Sequence, residues 1–177
     1  MTPCTTDIPL EVLRSMSAFG ALSDAFIERL LERGQLLWLR KGETLYRKGE
    51  QADCFFIVME GHVTVYDDTD LGRHIIRTTD TGESVGFPAM IGLRPRLFTG
   101  EASCTCSVLR ISSSAFADLY DWDQQQFAIF FMNLSRDMSR FLRYSAGGAD
   151  TPRVSAVLAD YADKRPLQPG LRWSILT

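Results

Sequence analysis

The stretch Gly42-Glu43-Thr44-Leu45-Tyr46-Arg47-Lys48-Gly49-Glu50, followed by Phe55-Phe56-Ile57-Val58 and Glu60-Gly61-His62-Val63, decides how this chain folds. Short apolar runs alternate with glycine, which lets the backbone reverse where a Cβ would clash. The pattern extends outward over Leu36 to Leu39, Leu45-Tyr46, Phe55 to Met59, Val63 to Tyr66, Ile75-Ile76 and Cys106 to Ile111. Gly42, Gly49, Gly61, Gly72, Gly82, Gly86, Gly92 and Gly100 fall between or beside these runs. Many short strands at a spacing of roughly ten residues predict an antiparallel barrel over residues 35–112, not a parallel sheet.

On either side the period changes from two to between three and four. Phe19, Leu22, Phe26 and Leu30 make one helical stripe in a leader over residues 1–34, with Ser23-Asp24 as a helix start and Gly34 as its stop. After Ser112 a short helix is expected near Ser114 to Tyr120. A long one follows from about Asp123 to Ser145, with the stripe Phe127, Phe130, Phe131, Leu134, Met138, Phe141, Leu142. Ala128, Ile129 and Met132 make its first half apolar on the other faces too, so it needs cover on two sides: the barrel, and a second copy of itself. Arg136, Arg140 and Arg143 read as a solvated stripe. Residues 113–146 thus form the C-terminal helices, and 147–177 a short terminal helix, Thr151 to Lys164, with a Pro-rich tail. The expected class is α+β, mainly β: an antiparallel jelly-roll barrel (double-stranded β-helix) with N-terminal helices and a long C-terminal helix.

The chain has 177 residues, 45% of them hydrophobic, with a net charge of −3, which excludes a disordered polymer. Its longest apolar run, Phe127 to Met132, is far short of the roughly 20 residues a membrane span needs. Asp7 and Glu11 interrupt the place of a signal peptide, so a cytoplasmic protein without a membrane partner is expected. The acidic balance argues against a nucleic-acid surface. Cys4, Cys54, Cys104 and Cys106 lack paired metal spacing and read as reduced packing residues. His62 and His74, the two histidines, have no local carboxylate motif and read as surface residues.

The glycine-punctuated strands from Gly42 to Val63 and the later Gly82-Glu83-Ser84-Val85-Gly86 resemble the sensory half of the Crp/Fnr family of bacterial regulators, a cyclic-nucleotide-binding domain. The resemblance covers about residues 15–165. It implies a phosphate-binding cassette at residues 82–99, where a Gly-Glu pair opens a short helix and a Pro-Arg pair follows some ten positions later. In that chemistry helix-start N–H groups and the arginine hold the cyclic phosphate, and the glutamate accepts from a ribose hydroxyl. Gly86, Ala89, Pro95 and Arg96 match. Phe87 stands at the glutamate's place, Pro88 removes one backbone N–H, and Leu97 replaces a small or hydroxyl residue. Phe98 follows beside it, and Ser145 aligns with a base-contacting hydroxyl. The family also includes haem-binding members, which makes either histidine an alternative ligand there.

Losing a hydrogen-bonding partner in a buried polar site costs about 1–3 kcal/mol, so the resemblance implies cAMP or cGMP at a weakened site, or none. Arg96 either faces a small anionic ligand or pairs with Glu101 or Glu83 to brace the cassette. The family's winged helix-turn-helix would need roughly 45 to 50 residues beyond the last helix. Only Pro166 to Thr177 remain, so no direct DNA binding is expected. Two functions stay open: a non-catalytic sensor that binds a small anion near Gly86, Phe87, Ala89, Arg96, Leu97, Phe98 and Ser145, or a degenerate interaction domain. A homodimer through the helix over residues 124–145 is expected, the degenerate form acting as such a dimer or as a subunit of a regulator; a complete transcription regulator is a third reading, which the missing helix-turn-helix disfavours. The degenerate form predicts Phe87 and Phe98 packed into the cavity.

Overall fold

The computed structural model describes residues 8–147, with the backbone alone for 144–147; Cys4 and the helix expected over Thr151 to Lys164 lie outside the described residues. The leader is broken into α1 (Leu10–Ser15), a 3-10 turn (Ser17–Phe19) and α2 (Asp24–Arg33). Ser23 caps α2 as its sequence suggests, its hydroxyl accepting from the Phe26 N–H at 3.3 Å. Eight strands follow: β1 (Gln35–Leu39), β2 (Thr44–Tyr46), β3 (Cys54–Glu60), β4 (Val63–Thr69), β5 (Gly72–Thr79), β6 (Ser84–Val85), β7 (Thr99–Ala102) and β8 (Cys106–Ser112). Helix α3 (Phe87–Ile91) sits between β6 and β7, and α4 (Ser113–Trp122) and α5 (Gln124–Gly147) close the described chain.

The strands form two antiparallel four-stranded sheets, ordered β1-β8-β3-β6 and β2-β7-β4-β5. This is the expected jelly-roll barrel, mainly β, with a long C-terminal helix. The unbroken apolar run in β3 has a simple cause, because both faces of the strand are covered. Phe55, Ile57 and Met59 join the helices in one core, with Phe26, Leu30, Phe116 and Phe130. The alternate residues Cys54, Phe56 and Val58 face the barrel interior with Val63, Val65 and Phe98. Strand β8 divides likewise, Leu109 and Ile111 to the helices and Cys106 and Val108 to the barrel.

Strands β6 and β7 carry no apolar alternation that the sequence displays. Gly100 lies inside β7, where a Cβ would meet the Tyr46 ring at 2.8 Å, so this glycine permits a close approach instead of a turn. A short pattern recurs that a scan for long repeats passes over. Arg40-Lys41-Gly42-Glu43, Arg47-Lys48-Gly49-Glu50 and Asp80-Thr81-Gly82-Glu83 are the same turn, with glycine φ of 87°, 88° and 87°. In each the glutamate carboxylate reaches back to accept from the N–H three residues earlier, at 2.9, 2.9 and 3.1 Å. The third of these staples leads into the cassette.

Candidate functional site

Strand β6 ends at Gly86, whose φ of 82° turns the chain into α3. Arg96, ten residues on, folds back beneath this turn and is 2% exposed. Its Nη1 donates to the Gly86 carbonyl at 2.8 Å and its Nη2 to the Cys54 carbonyl at 2.5 Å. The guanidinium carbon lies 4.3 Å from the centre of the Tyr46 ring, a cation–π contact. Burial pushes the Tyr46 phenol up to about 12, with the Arg96 charge opposing the rise.

Neither expected acid pairs with Arg96. Glu101 accepts from Tyr66 Oη at 3.1 Å and pairs with Arg73 at 3.2 Å, while Glu83 is taken by Arg77 and by Arg140. The bracing ion pair is therefore replaced by carbonyls and a ring, and Nε of Arg96 is buried without a hydrogen-bond partner among the described residues. A buried cation without a carboxylate beside it is costly.

Phe87 opens α3 but turns its ring into the helical core. It meets Phe55, Phe116 and Phe131 at centroid distances of 5.3, 5.8 and 6.0 Å, and is 1% exposed. The glutamate's place has become part of an aromatic cluster, and Pro88 sits in the first turn of α3. Phe98 packs in the barrel interior, and Ala89 and Leu97 are both at the wall of the cavity. Ser145 belongs to α5 by its backbone, and its side chain lies outside the described residues.

The cavity beside the cassette measures about 140 Å³. Phe87 and Phe98 both line it and narrow it without filling it. Helix α5 supplies one wall through Leu134, Asp137, Met138 and Phe141, and Arg77 of β5 stands in another. Asp137 is 1% exposed and ties α5 to the barrel. It accepts from the Ser84 N–H at 2.9 Å and from Ser17 Oγ at 3.1 Å, and pairs with Arg140. Burial raises its carboxyl above the usual range, against the pull of those donors and of Arg140. Arg140, expected in solvent, instead joins Asp137 and Glu83, and Glu83 also holds Arg77. A chain of four charges, Arg77, Glu83, Arg140 and Asp137, thus connects the cavity wall to the long helix.

Sequence reasoning missed Asp137 and Arg77. Asp137 has a readable signal, since Phe130, Leu134, Asp137 and Phe141 continue one helical stripe and an acid on that stripe must be buried. Arg77 has a weaker one: it follows buried Ile76, and a register shift between Val65 and Tyr66 in the paired strand lets both adjacent residues turn inward. His62 is exposed and lies 2.9 Å from Asp80. Cys54, Cys104 and Cys106 are free thiols, and burial pushes Cys106 up to about 11. No described helix is long and apolar enough to cross a membrane.

The family model of the cyclic nucleotide-binding domain matches residues 36–123. A potassium channel of rice, Oryza sativa, is 21% identical over 148 residues, which make up 84% of this chain and 16% of the channel. The chain therefore spans about a sixth of the length of that relative. Among solved structures, a cyclic nucleotide-binding-like protein from Brucella abortus is 30% identical, with a TM-score of 0.54 over 63% of this chain and 97% of that one. A cyclic nucleotide-binding domain from Methylobacillus flagellatus shares the fold, with a TM-score of 0.68 at 22% identity, over 77% of this chain and 78% of that one. The barrel fold agrees with these matches, and the chain belongs to the cyclic nucleotide-binding domain family.

Proposed function

We propose that this chain is a non-catalytic regulatory module that binds a small anion at the cassette and reports its occupancy through α5. One observation carries the reading: Arg96 is a buried cation whose partners are the Gly86 and Cys54 carbonyls and the Tyr46 ring, with no acid among them. An incoming anion would supply the missing charge. Helix α5 is the output because it walls the cavity, and a ligand shifts a helix only through contacts that differ between its two positions.

The loss of the glutamate at Phe87 supports weak or absent binding of cAMP and cGMP. Calorimetry with both nucleotides and with simple anions, on the wild type and on Arg96→Gln, tests the module. Binding that disappears in the variant supports it; no heat and no thermal stabilisation from any anion at millimolar concentration removes it.

The module acts as a homodimer in this reading. Ala128, Met132, Ser135, Ser139 and Leu142 recur on α5 at alternating spacings of four and three, with Met132 and Leu142 exposed at 47% and 51%. Sedimentation should find a two-chain species that Met132→Asp dissociates. The net charge of −3 supports leaving any DNA contact to other chains.

A second reading, a degenerate interaction domain, is favoured by the packing of Phe87 into the aromatic cluster. It predicts a protein partner and empty ligand screens.

A further inference from the structure

We propose that the cavity selects a small carboxylate with an apolar body of about one ring, and that Arg77 anchors its charge. The proposal rests on the reading that this module binds an anion. It adds the class of anion and an anchor on the barrel strand opposite the cassette.

Size comes first. A volume of about 140 Å³ is well under the roughly 300–1,000 Å³ of pockets that enclose drug-sized ligands. It resembles an apolar cavity of about 150 Å³ that accepts a single benzene. A purine nucleoside has at least two rings and a sugar, and does not fit unless α5 withdraws. Leu97, Phe98, Leu134, Met138 and Phe141 make most of the wall apolar, which suits a hydrocarbon ring.

Charge comes second. The ionisable groups on the wall are Arg77, Arg96 and Asp137 beside the phenol of Tyr46, and Glu83 and Arg140 behind them cancel. The wall carries one net positive charge, which a monoanion balances and a dianion overshoots. Of the two cations, Arg96 has its Nη atoms on carbonyls and its Nε sealed from solvent. Arg77 engages Glu83 through Nη2, leaving Nε and Nη1 with no partner among the described residues. A carboxylate entering the cavity thus meets its available donors on Arg77. There it competes with Glu83, which also holds Arg140 of α5. Occupancy would be felt at the helix through that shared carboxylate.

The test measures thermal stabilisation and calorimetric binding with phenylacetate, benzoate, benzamide, inorganic phosphate and cAMP. The proteins are the full chain, Arg77→Gln, Arg77→Lys, Arg96→Gln and the cavity-filling Met138→Trp. The expected result is binding of phenylacetate or benzoate but not of neutral benzamide. Arg77→Gln should weaken it roughly ten- to hundredfold, Arg77→Lys should retain most of it, and Met138→Trp should abolish it. Arg77→Lys and Met138→Trp guard against the case in which Arg77→Gln fails to fold. Binding of cAMP without the aromatic acids would overturn the proposed ligand class and leave the anion module standing. Aromatic-acid binding that depends on Arg96 and is indifferent to Arg77→Gln would overturn the anchor. Silence from every anion, phosphate included, would overturn the module itself.

Discussion

Gly86 and Arg96 fit one another so closely that the glycine leaves no room for a side chain: Arg96 Nη1 donates to the Gly86 carbonyl at 2.8 Å, and a Cβ on Gly86 would stand 2.5 Å from that same nitrogen. The glycine is needed twice, for its φ of 82° and for the guanidinium beneath it. Gly49 has nearly the same φ, 88°, but open space where a Cβ would go. Gly49→Ala should therefore cost about 1 kcal/mol of backbone strain. Gly86→Ala should cost about 2–3 kcal/mol, because Arg96 must also give up a buried hydrogen bond. Urea unfolding of the two variants checks the difference.

Restoring a glutamate at position 87 is not a simple reversion. The ring of Phe87 is enclosed by Phe55, Phe116 and Phe131, and a carboxylate there would lose that packing and leave an unpaired charge. Phe87→Glu should lower stability by about 3 kcal/mol or more, measured by thermal or denaturant unfolding, before any gain in nucleotide affinity appears.

Asp137 predicts a pH dependence of definite sign. Burial raises its carboxyl above the ordinary 3.8, so the folded state holds the proton more tightly than the unfolded chain. Its contribution is complete below the unfolded value and declines as pH rises through the folded one. The stability of the wild type relative to Asp137→Asn should thus fall as pH rises above the ordinary carboxylate value of 3.8. Paired unfolding curves at several pH values would show a flat difference if the carboxyl titrates normally.

Tyr46 acts at the other end of the scale. Its phenol is pushed up to about 12 from 10.0, so its stabilising contribution is present below the unfolded value and lost as pH climbs through the folded one. Two units correspond to about 2–3 kcal/mol. Tyr46→Phe should flatten the loss of stability between about pH 10 and pH 12, and should remove one late-ionising tyrosine from an ultraviolet titration.

Arg140→Gln removes the cation shared by Asp137 and Glu83. It should cost about 1–3 kcal/mol and speed amide exchange in the second half of α5, while β3 and β8 keep their protection. Equal acceleration throughout the barrel would mean that the helix is not separately held.

Much of the architecture was legible because its causes are local. Glycine spacing marked the turns, the run from Phe55 to Met59 marked a strand covered on both faces, and the stripe from Phe127 to Phe141 marked the long helix. Strands β6 and β7 were not legible, since Ser84-Val85 is two residues long and Thr99-Gly100-Glu101-Ala102 owes its place to Tyr46 packing on Gly100. At the site, Gly86 and Arg96 could be picked out by their spacing. Their real relationship could not, because Arg96 bonds to the carbonyl of Cys54, 42 residues away, and a backbone acceptor leaves no trace in side-chain identity. Arg140 was misread for a related reason: its exposed position on the helix follows from periodicity, whereas its partner Glu83 is brought in by the barrel.

The three glutamate-stapled turns differ in one respect that matters for how such a domain changes over generations. Glu43 and Glu50 serve their own turns, whereas Glu83 closes its turn at 3.1 Å and also holds Arg77 and Arg140. A routine piece of chain-reversal chemistry has been recruited as a junction between two distant elements. Substituting Arg140 alone would loosen one tie between α5 and this turn, while the hydrogen bond from the Asp80 N–H that closes the turn stays in place.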